Sequence, residues 1–167
     1  MTDLIILATL LPGPKHGYQL KQEAGLILGQ EDLHNNLVYP LLRRFTEQGL
    51  MTKKTVPGER GQERHQYALT ALGRKTLIQR LSEYGASDAR SREGFLTRVG
   101  LFQVLEPAAR ERVLAGRAGH LQRTRERLEG IQEGFQLDPY ALETTRFMRS
   151  QVQAELNWIQ HLRKISK

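Results

Sequence analysis

Side chains that can contact phosphates and base edges are concentrated in one stretch of this 167-residue chain. Residues 35–80 contain nine Lys and Arg against three Glu, a net charge of +6, whereas residues 1–34 contain two Lys against four Asp and Glu, a net charge of −2. Within the basic stretch, Asn36, Tyr39 and Arg43 are spaced so that a helix would place them on one face. Their amide, phenol and guanidinium groups are typical of DNA contacts.

The charge of the whole chain also favours an acidic partner. There are 25 Lys and Arg against 18 Asp and Glu, which gives a net charge of +7. Nucleic acid is the first candidate and a membrane surface the second. The apolar run at residues 4–11 is shorter than the ~20 residues of a bilayer crossing, and no basic segment precedes it as in a secretory signal. We therefore expect a cytoplasmic protein that binds DNA rather than membrane.

The helix that carries these three side chains is predicted to begin near Asn35 and to end at Gly49. Its core-facing positions follow the i, i+3, i+4, i+7 pattern and are Val38, Leu41, Leu42 and Phe45. Pro40 lies early in the helix, where its missing N–H removes at most the first intrahelical hydrogen bond.

The surrounding pattern is that of a winged helix-turn-helix. The predicted elements are a first helix from a Thr2 N-cap to Leu11, a second from about His16 to Gly29, the helix described above, strands at 50–56 and 64–69 around a turn at 57–61, and a fourth helix capped by Thr70. In this arrangement the third helix fits the major groove and the hairpin reaches flanking phosphates.

The second half of the chain is predicted to be helical. Residues 85–88, Gly-Ala-Ser-Asp, interrupt the apolar period and indicate a domain boundary. Helices are expected over 95–105, from 107 to 135 and from 139 onward. The fold class is therefore mostly α with a small β-hairpin: an N-terminal winged helix-turn-helix DNA-binding domain at 1–84 and an all-helical C-terminal dimerisation and effector domain at 85–167.

Apolar residues on the last two predicted helices indicate a helix seam. Leu114, Leu121 and Leu128 recur every seven residues, as in a coiled coil, although Arg117 and Thr124 between them are polar. A second copy of the chain would cover this seam. The predicted dimer interface consists of Leu114, Leu121, Leu128, Val152, Leu156 and Ile159.

Other interpretations of the same residues stay open. The basic side chains can form an ordinary solvated face, and Tyr39 can be a core aromatic residue with its hydroxyl at the rim. Trp158, the single Trp, can belong to core or dimer packing. Alternatively, it can line a pocket for a small aromatic effector together with Phe95 and Phe102.

Several other function classes are disfavoured by what the sequence lacks. With no Cys, a disulfide, a thiolate nucleophile and a zinc ribbon are excluded. The five His include no pair at the i, i+4 spacing of a metal site, and no Gly-rich loop follows a predicted strand to bind a nucleotide phosphate. We therefore expect no enzymatic activity, no cofactor and no metal.

Six blocks of sequence resemble the PadR-like family of transcriptional regulators. Four lie in the first half, in that family's order and spacing: HGYQL at 16–20, VYPLLRRF at 38–45, EQGL at 47–50 and YALTALGR at 67–74. Two lie in the second half: GFLTRV at 94–99 and AELNWI at 154–159. The resemblance extends over nearly the whole chain.

The resemblance implies a dimeric, ligand-responsive DNA-binding regulator, usually a repressor, whose C-terminal helices form the dimer. By position, Tyr39 and Arg43 correspond to recognition-helix contacts, Tyr18 to a phosphate contact and Arg64 to a wing contact. The chain departs from the family at 34–37, where His-Asn-Asn-Leu stands in place of a small polar residue followed by Pro-Gly-Thr.

The sequence thus predicts a homodimeric, sequence-specific regulator that acts on a pseudo-palindromic operator in double-stranded DNA and is released by a small aromatic effector or by a partner. The predicted DNA contacts are Lys15, Tyr18, Asn35, Asn36, Tyr39, Arg43, Arg44, Lys53, Lys54, Arg60 and Arg64. The rival interpretations are a winged-helix protein-interaction adaptor without specific DNA binding, and a nonspecific architectural nucleic-acid binder.

Overall fold

The computed structural model describes residues 1–29, 33–57 and 63–166 of the chain. Their contacts divide into two compact units, Met1–Glu83 (the first unit) and Tyr84–Lys167 (the second unit). This division falls one residue before the predicted domain boundary. None of the helices in the described ranges combines the length and the apolar character that a bilayer crossing requires.

The first unit is a winged helix-turn-helix, as predicted. Its elements are α1 (Thr2–Thr9), β1 (Lys15–His16), α2 (Gly17–Leu28), α3 (Asn35–Glu47), β2 (Met51–Pro57), β3 (Glu63–Leu69) and α4 (Ala71–Ser82). The strands form one antiparallel sheet in the order β1-β3-β2. β1 extends the predicted hairpin by a third strand, and its two residues are too few to leave a period in the sequence.

α1 forms the centre of this unit and is buried from Leu4 to Thr9. Its start differs from the prediction, because Met1 is the N-cap and Thr2 is already helical. Its end also differs, since the last helical residue is Thr9 rather than Leu11. The buried apolar run packs against α2 and α4.

α3 buries Val38, Leu42 and Phe45 of its predicted stripe, while Leu41 is only half-buried. Pro40 lies inside the helix. Because it lacks an N–H, the hydrogen bond to the Asn36 carbonyl is missing. The first hydrogen bond of the helix is the one that the Val38 N–H donates to the His34 carbonyl. The bond that Pro40 removes lies further along the helix, so the prediction that at most the first bond is lost was wrong.

Three predicted signals at helix ends are confirmed. Gly29 and Gly49 have φ values of 64° and 70°, a left-handed conformation that Gly adopts without strain, and they end α2 and α3. The Thr70 side chain accepts a 2.9 Å hydrogen bond from the Gly73 N–H and caps α4.

The described part of the second unit contains only helices, as predicted. They are α5 (Ala86–Arg90), α6 (Arg92–Gly100), a 3-10 turn (Phe102–Val104), α7 (Pro107–Gly134) and α8 (Pro139–Ile165). Two details differ: residues 86–88 of the predicted boundary begin α5, and the predicted helix over 95–105 is divided into α6 and the 3-10 turn. Asp138 caps α8 by accepting hydrogen bonds from the N–H groups of Tyr140 and Ala141.

Candidate nucleic-acid interface

α3 presents a polar face on the side opposite its buried stripe. Asn36, Tyr39 and Arg43 are exposed, and Tyr39 is 45% exposed, so it does not belong to the core. The Arg43 side chain is 81% exposed, and its Nε lies 3.7 Å from Glu47 Oε1 along the helix surface. An exposed pair of this kind contributes only ~0.3–0.5 kcal/mol, so the guanidinium remains available to an anion or a base.

Arg44 lies on the flank of this face. It is exposed, and its Cζ lies 5.3 Å from the centroid of the Phe45 ring. Successive residues of a helix are separated by about 100° of rotation, so Arg44 points away from the line through Asn36 and Arg43. This direction suits a backbone phosphate better than a base edge.

A cleft of about 600 Å³ opens beside this face of α3. Its lining comes from segments that are far apart in sequence and consists of His16, Gly17, Tyr18, Gln19, Gln22, Tyr39, Arg64, His65 and Tyr67. Three predicted DNA contacts, Tyr18, Tyr39 and Arg64, therefore meet at one concave site. Aromatic walls with a guanidinium and several hydrogen-bonding groups suit a phosphate and its sugar.

Gly17 forms the floor of the cleft. A Cβ at this position would lie 3.3 Å from Tyr39 Cε1, so the Tyr39 ring would have to shift slightly, and 3.5 Å from Tyr67 Cε2, which is an ordinary van der Waals contact. Burial, and then the neighbouring Tyr39, raise the pKa of Tyr67 above its ordinary value of 10.0. The Tyr67 phenol is therefore neutral at physiological pH and keeps its donor proton.

Side-chain hydrogen bonds fix the rim of the cleft at the start of α2. Gln19 Oε1 accepts a 2.9 Å hydrogen bond from the His16 backbone N–H. The Tyr18 hydroxyl accepts a 2.9 Å hydrogen bond from Gln22 Nε2, which leaves its own proton for another acceptor. Tyr18 is 64% exposed, so a phosphate oxygen can be that acceptor.

The remaining predicted contacts lie outside the cleft. Lys15 forms an ion pair with Glu23 of α2 and is only 19% exposed, so part of its charge is already neutralised. Lys53 and Lys54 are exposed on β2, but successive strand residues point to opposite faces, and the two cannot contact the same phosphate. Asn35, the first residue of α3, is exposed, and Arg60 lies outside the described residues.

The predicted effector residues are all in the second unit. Phe95 is fully buried and packs edge-to-face against Trp158, with ring centroids 5.9 Å apart. Phe102 is also buried. Trp158 lines a cavity of about 180 Å³ together with Arg92, Leu96, Gln151, Ala154 and Glu155, and neither Phe95 nor Phe102 belongs to the lining of this cavity.

The six predicted dimer residues are buried within a single chain, on α7 and α8. The two helices pair with each other, so the burial of these residues needs no second copy. Other apolar residues of α8 are exposed instead, among them Tyr140, Phe147, Met148 and Ile165. Since residues seven apart share a helix face, Tyr140, Phe147 and Ala154 extend along α8 towards Trp158.

Sequence reasoning missed the buried arginines of the second unit, Arg98 and Arg117, each 4% exposed. Arg117 of α7 donates to both carboxylate oxygens of Glu155 in α8, at 2.7 and 3.1 Å, and to the Ala89 carbonyl in α5 at 2.7 Å. Arg98 Nη2 lies 2.9 Å from Asp88 Oδ1. A signal in the sequence existed for Arg117 alone, which is a charged residue between the apolar positions of the predicted helix seam.

Metal binding has no structural support in the described ranges, where no group of three His, Asp or Glu side chains is placed to hold an ion. The exposed face of α3 and the adjoining cleft bring together five of the eleven predicted DNA contacts: Tyr18, Asn36, Tyr39, Arg43 and Arg64. This surface is the candidate nucleic-acid interface.

Comparison with known proteins points to one family. Residues 6–79 match the model of the transcriptional regulator PadR-like family. A proposed transcriptional regulator of Thermoplasma acidophilum is 32% identical, with 47% of this chain aligned to 74% of that one at a TM-score of 0.44. A comparison with curated proteins gives no match.

Two solved structures of Bacillus subtilis PadR align over almost the full length. The one in complex with operator DNA is 18% identical, covers 99% of this chain and 98% of that chain, and has a TM-score of 0.48. The structure in complex with p-coumaric acid is 16% identical, and the alignment covers 98% of this chain and 94% of that chain at a TM-score of 0.43. Because these identities and TM-scores are low, the superpositions carry no weight in the family assignment. The assignment rests on the family model and on the more similar sequence.

Proposed function

This chain belongs to the PadR-like family of transcriptional regulators, and on that premise we propose that it is a sequence-specific repressor that binds a pseudo-palindromic operator as a homodimer. α3 enters the major groove, where Asn36, Tyr39 and Arg43 face the bases. The cleft beside it holds the sugar–phosphate backbone. The hairpin contacts flanking phosphates.

One observation carries this proposal: the exposed side chains of α3 and the cleft residues Tyr18, Tyr39 and Arg64 form one continuous surface in the first unit. Base-reading groups and phosphate-binding groups are thus adjacent, as a helix in the major groove requires. The local charge supports the same function, because residues 35–80 carry a net charge of +6. Such a patch attracts DNA from solution and makes its binding dependent on salt.

Selection of bound fragments from genomic DNA, followed by affinity measurements over a range of salt, tests this function. We expect one palindromic site to bind at least ~10³-fold more tightly than random DNA, with a steep loss of affinity as salt rises for both. Equal affinity for all fragments would favour the architectural binder. No DNA binding at low salt would favour the protein-interaction adaptor.

The homodimer is proposed to form through the exposed apolar side of α8 rather than through the seam predicted from the sequence. A two-fold dimer must present its two α3 helices about 34–36 Å apart, one DNA turn. Phe147, 63% exposed, has the aromatic character of residues that dominate interfaces. Phe147→Glu should raise the dimer dissociation constant by about 30-fold or more, measured by analytical ultracentrifugation, with Gln153→Glu as the control. An unchanged dimer would place the interface elsewhere.

The effector is proposed to be a planar aromatic acid that stacks on Trp158 in the cavity of about 180 Å³. Arg92 in the lining is 66% exposed and its Nε lies 3.5 Å from Glu155 Oε2, so an effector carboxylate would bind Arg92 in competition with Glu155. Glu155 keeps a second partner in Arg117. An acid of the size of p-coumaric acid should change the fluorescence of Trp158 and lower the affinity for the operator in parallel, by linkage. Binding without a change in operator affinity would show that the two sites are not coupled.

A further inference from the structure

We propose that the second unit binds a small phosphate monoester with hydroxyl groups, such as a sugar phosphate, in a basic groove between α7 and α8. The basic groove has a volume of about 340 Å³ and is lined by Arg125, Glu129, Arg146, Arg149, Ser150 and Gln153. It shares no residue with the cavity beside Trp158. The inference therefore goes beyond the proposed function and does not depend on the identity of the effector.

The lining of the basic groove carries more positive charge than its own carboxylate neutralises. Three guanidinium groups face one carboxylate, that of Glu129, which leaves a net charge of +2. Arg146 also pairs with Glu143, but the two side chains are 58% and 68% exposed, and an exposed pair contributes little. A phosphate monoester carries a charge of about −1.5 to −2 at pH 7, so it would balance the charge of the groove.

Arg125 of α7 is not used by the fold in the way that Arg117 of the same helix is. Arg117 makes three hydrogen bonds to protein oxygens. By contrast, Arg125 Nε is buried without a hydrogen-bond partner among the described residues, and it lies 3.9 Å from Glu129 Oε1, which is too long for a hydrogen bond. The Arg125 side chain is 40% exposed, so its terminal N–H groups can donate to a ligand in the groove.

Arg149 of α8 approaches the same Glu129 oxygen from the other helix. Its Nη1 donates a 2.7 Å hydrogen bond to Gln132 Oε1, which orients the guanidinium. Its Nη2 lies 3.4 Å from Glu129 Oε1, a long hydrogen bond. Two guanidinium groups therefore face one carboxylate oxygen, and neither makes a short bond to it. Phosphate oxygens can accept shorter hydrogen bonds from both guanidinium groups.

The two neutral residues of the lining favour a ligand with hydroxyl groups. Ser150 Oγ donates a 2.8 Å hydrogen bond to the Phe147 carbonyl, and Gln153 Nε2 donates one of 2.8 Å to Asn157 Oδ1. Ser150 Oγ and Gln153 Oε1 thus remain as acceptors, which suit a hydroxyl group and repel a phosphate oxygen. None of the lining residues is aromatic, so an aromatic acid finds no ring to stack on.

Isothermal titration calorimetry of the full-length protein with glucose 6-phosphate, inorganic phosphate and glucose tests the class of ligand. We expect a dissociation constant below ~1 mM for glucose 6-phosphate, weaker binding of inorganic phosphate, and no binding of glucose. Equal affinities for glucose 6-phosphate and inorganic phosphate would show that the groove binds an anion only. No binding of either phosphate would overturn the proposal.

Two substitutions in α7 and one in the first unit locate the ligand. Arg125→Ala should weaken the binding of glucose 6-phosphate by about 10-fold or more, because a charge-assisted hydrogen bond is lost. Arg127→Ala removes the same charge from an exposed position that lies about 200° further round the helix, and it should leave the affinity unchanged. Arg64→Ala tests the cleft of the first unit, and it too should have no effect.

Two further variants change the affinity in ways that a purely structural role does not explain. Glu129→Gln removes the one negative charge of the lining and should tighten the binding of glucose 6-phosphate. Gln153→Ala should weaken the binding of glucose 6-phosphate but not that of inorganic phosphate, because it removes an acceptor for hydroxyl groups. Circular dichroism confirms that the variants are folded.

Three outcomes would overturn the assignment to the basic groove. The first is an unchanged affinity in Arg125→Ala, and the second is weaker binding in Glu129→Gln. The third is a wild-type protein that binds no probe and forms a dimer that dissociates in Arg125→Ala, measured by analytical ultracentrifugation. This result would show that the guanidinium groups pair with carboxylates of a second copy of the chain.

Discussion

The two units of this chain use positive charge in opposite ways. In the first unit, Arg43, Arg44 and Arg64 are exposed, and the Arg43 pair with Glu47 lies in solvent at 3.7 Å. In the second unit, Arg98 and Arg117 are 4% exposed and make bonds of 2.7–3.1 Å to carboxylates. The same side-chain type is therefore exposed to solvent in one unit and part of the packed interior in the other.

This difference follows from the cost of removing a charge from water. A buried guanidinium is tolerated only when its charge and its N–H groups are satisfied inside the protein, and Arg117 meets that condition with Glu155 and Ala89. An exposed guanidinium keeps its hydration and can exchange it for a phosphate or a base. We therefore expect substitutions of the buried arginines to change the free energy of unfolding, and substitutions of the exposed arginines to change the affinity for DNA.

The largest effect is expected for Arg117→Ala. The substitution leaves the Glu155 carboxylate, 10% exposed, without its bidentate partner, and removing one member of a buried pair costs ~3–5 kcal/mol. Urea unfolding of the full chain measures the loss. Arg127→Ala, an exposed position on the same helix, should change the free energy of unfolding by less than ~0.5 kcal/mol.

If Arg117→Ala does not fold, the double variant Arg117→Met/Glu155→Met provides the test. Replacing both members of a buried pair by apolar residues is often neutral, so the double variant should recover most of the lost stability. An Arg117→Ala protein as stable as Arg127→Ala would show that the charge of the second unit does not stabilise the fold.

Arg43→Ala is expected to have the next largest effect, and on DNA binding alone. Binding to the selected operator should weaken by ~1–3 kcal/mol, more than binding to random DNA, because a base contact is lost. The free energy of unfolding should fall by no more than the ~0.3–0.5 kcal/mol of the pair with Glu47, because the side chain is 81% exposed. Arg74→Ala removes the same charge from the exposed surface of α4 and should not alter the preference for the operator. Equal losses on operator and random DNA would assign Arg43 to a phosphate.

Smaller and unequal effects are expected for Lys53→Ala and Lys54→Ala. The residues pair with Tyr67 and Gln66 of β3 and point to opposite faces of the hairpin, so one DNA backbone can contact only one of them. That variant should lower the slope of log affinity against log salt by ~1, and the other should leave it unchanged. Two equal reductions would show that the hairpin lies between two phosphate strands.

The smallest effect concerns the pH dependence of stability in the second unit. Burial is the first cause of a lowered His120 pKa, followed by four nearby arginines, Arg117, Arg123, Arg90 and Arg127. Because the pKa in the folded state lies below the unfolded value of 6.5, the unfolded state binds more protons as the pH falls through 6.5, and the free energy of unfolding decreases there. His120→Gln should show a smaller decrease between pH 7.5 and 5.5 in urea unfolding. An identical decrease would mean that neither burial nor these arginines lower the pKa of His120.

Local signals in the sequence predicted most of the first unit. Gly29, Gly49 and Thr70 act through their own backbone neighbours, so their effect is the same in any fold. The stripe of α3 was also predictable, because a single helix with one buried face determines its period. The pairing of β1 with β3 was not predictable, since it depends on contacts between residues that are far apart in sequence.

The second unit shows where such reasoning fails. Leu114 and Leu121 were correctly identified as apolar positions that need a partner, but the sequence does not say whether a second copy or α8 of the same chain covers them. Arg117 interrupts the seam, and a charged residue there normally indicates solvent. Its burial depends on Glu155, 38 positions away. The cleft of the first unit was unpredictable for the same reason, because its lining residues are far apart in sequence and come together only in the folded chain.

Hydrogen–deuterium exchange of the full chain with and without the selected operator tests most directly that the exposed charges of the first unit bind DNA and the buried ones of the second do not. We expect slower exchange in α3 and at the start of α2, around Tyr18, when the operator is bound, and a much smaller change with an unrelated DNA fragment. Exchange at Arg117 and its neighbours in α7 should be the same with and without the operator, because these residues do not contact DNA. Slower exchange confined to the second unit, or the same pattern with both fragments, would contradict this expectation.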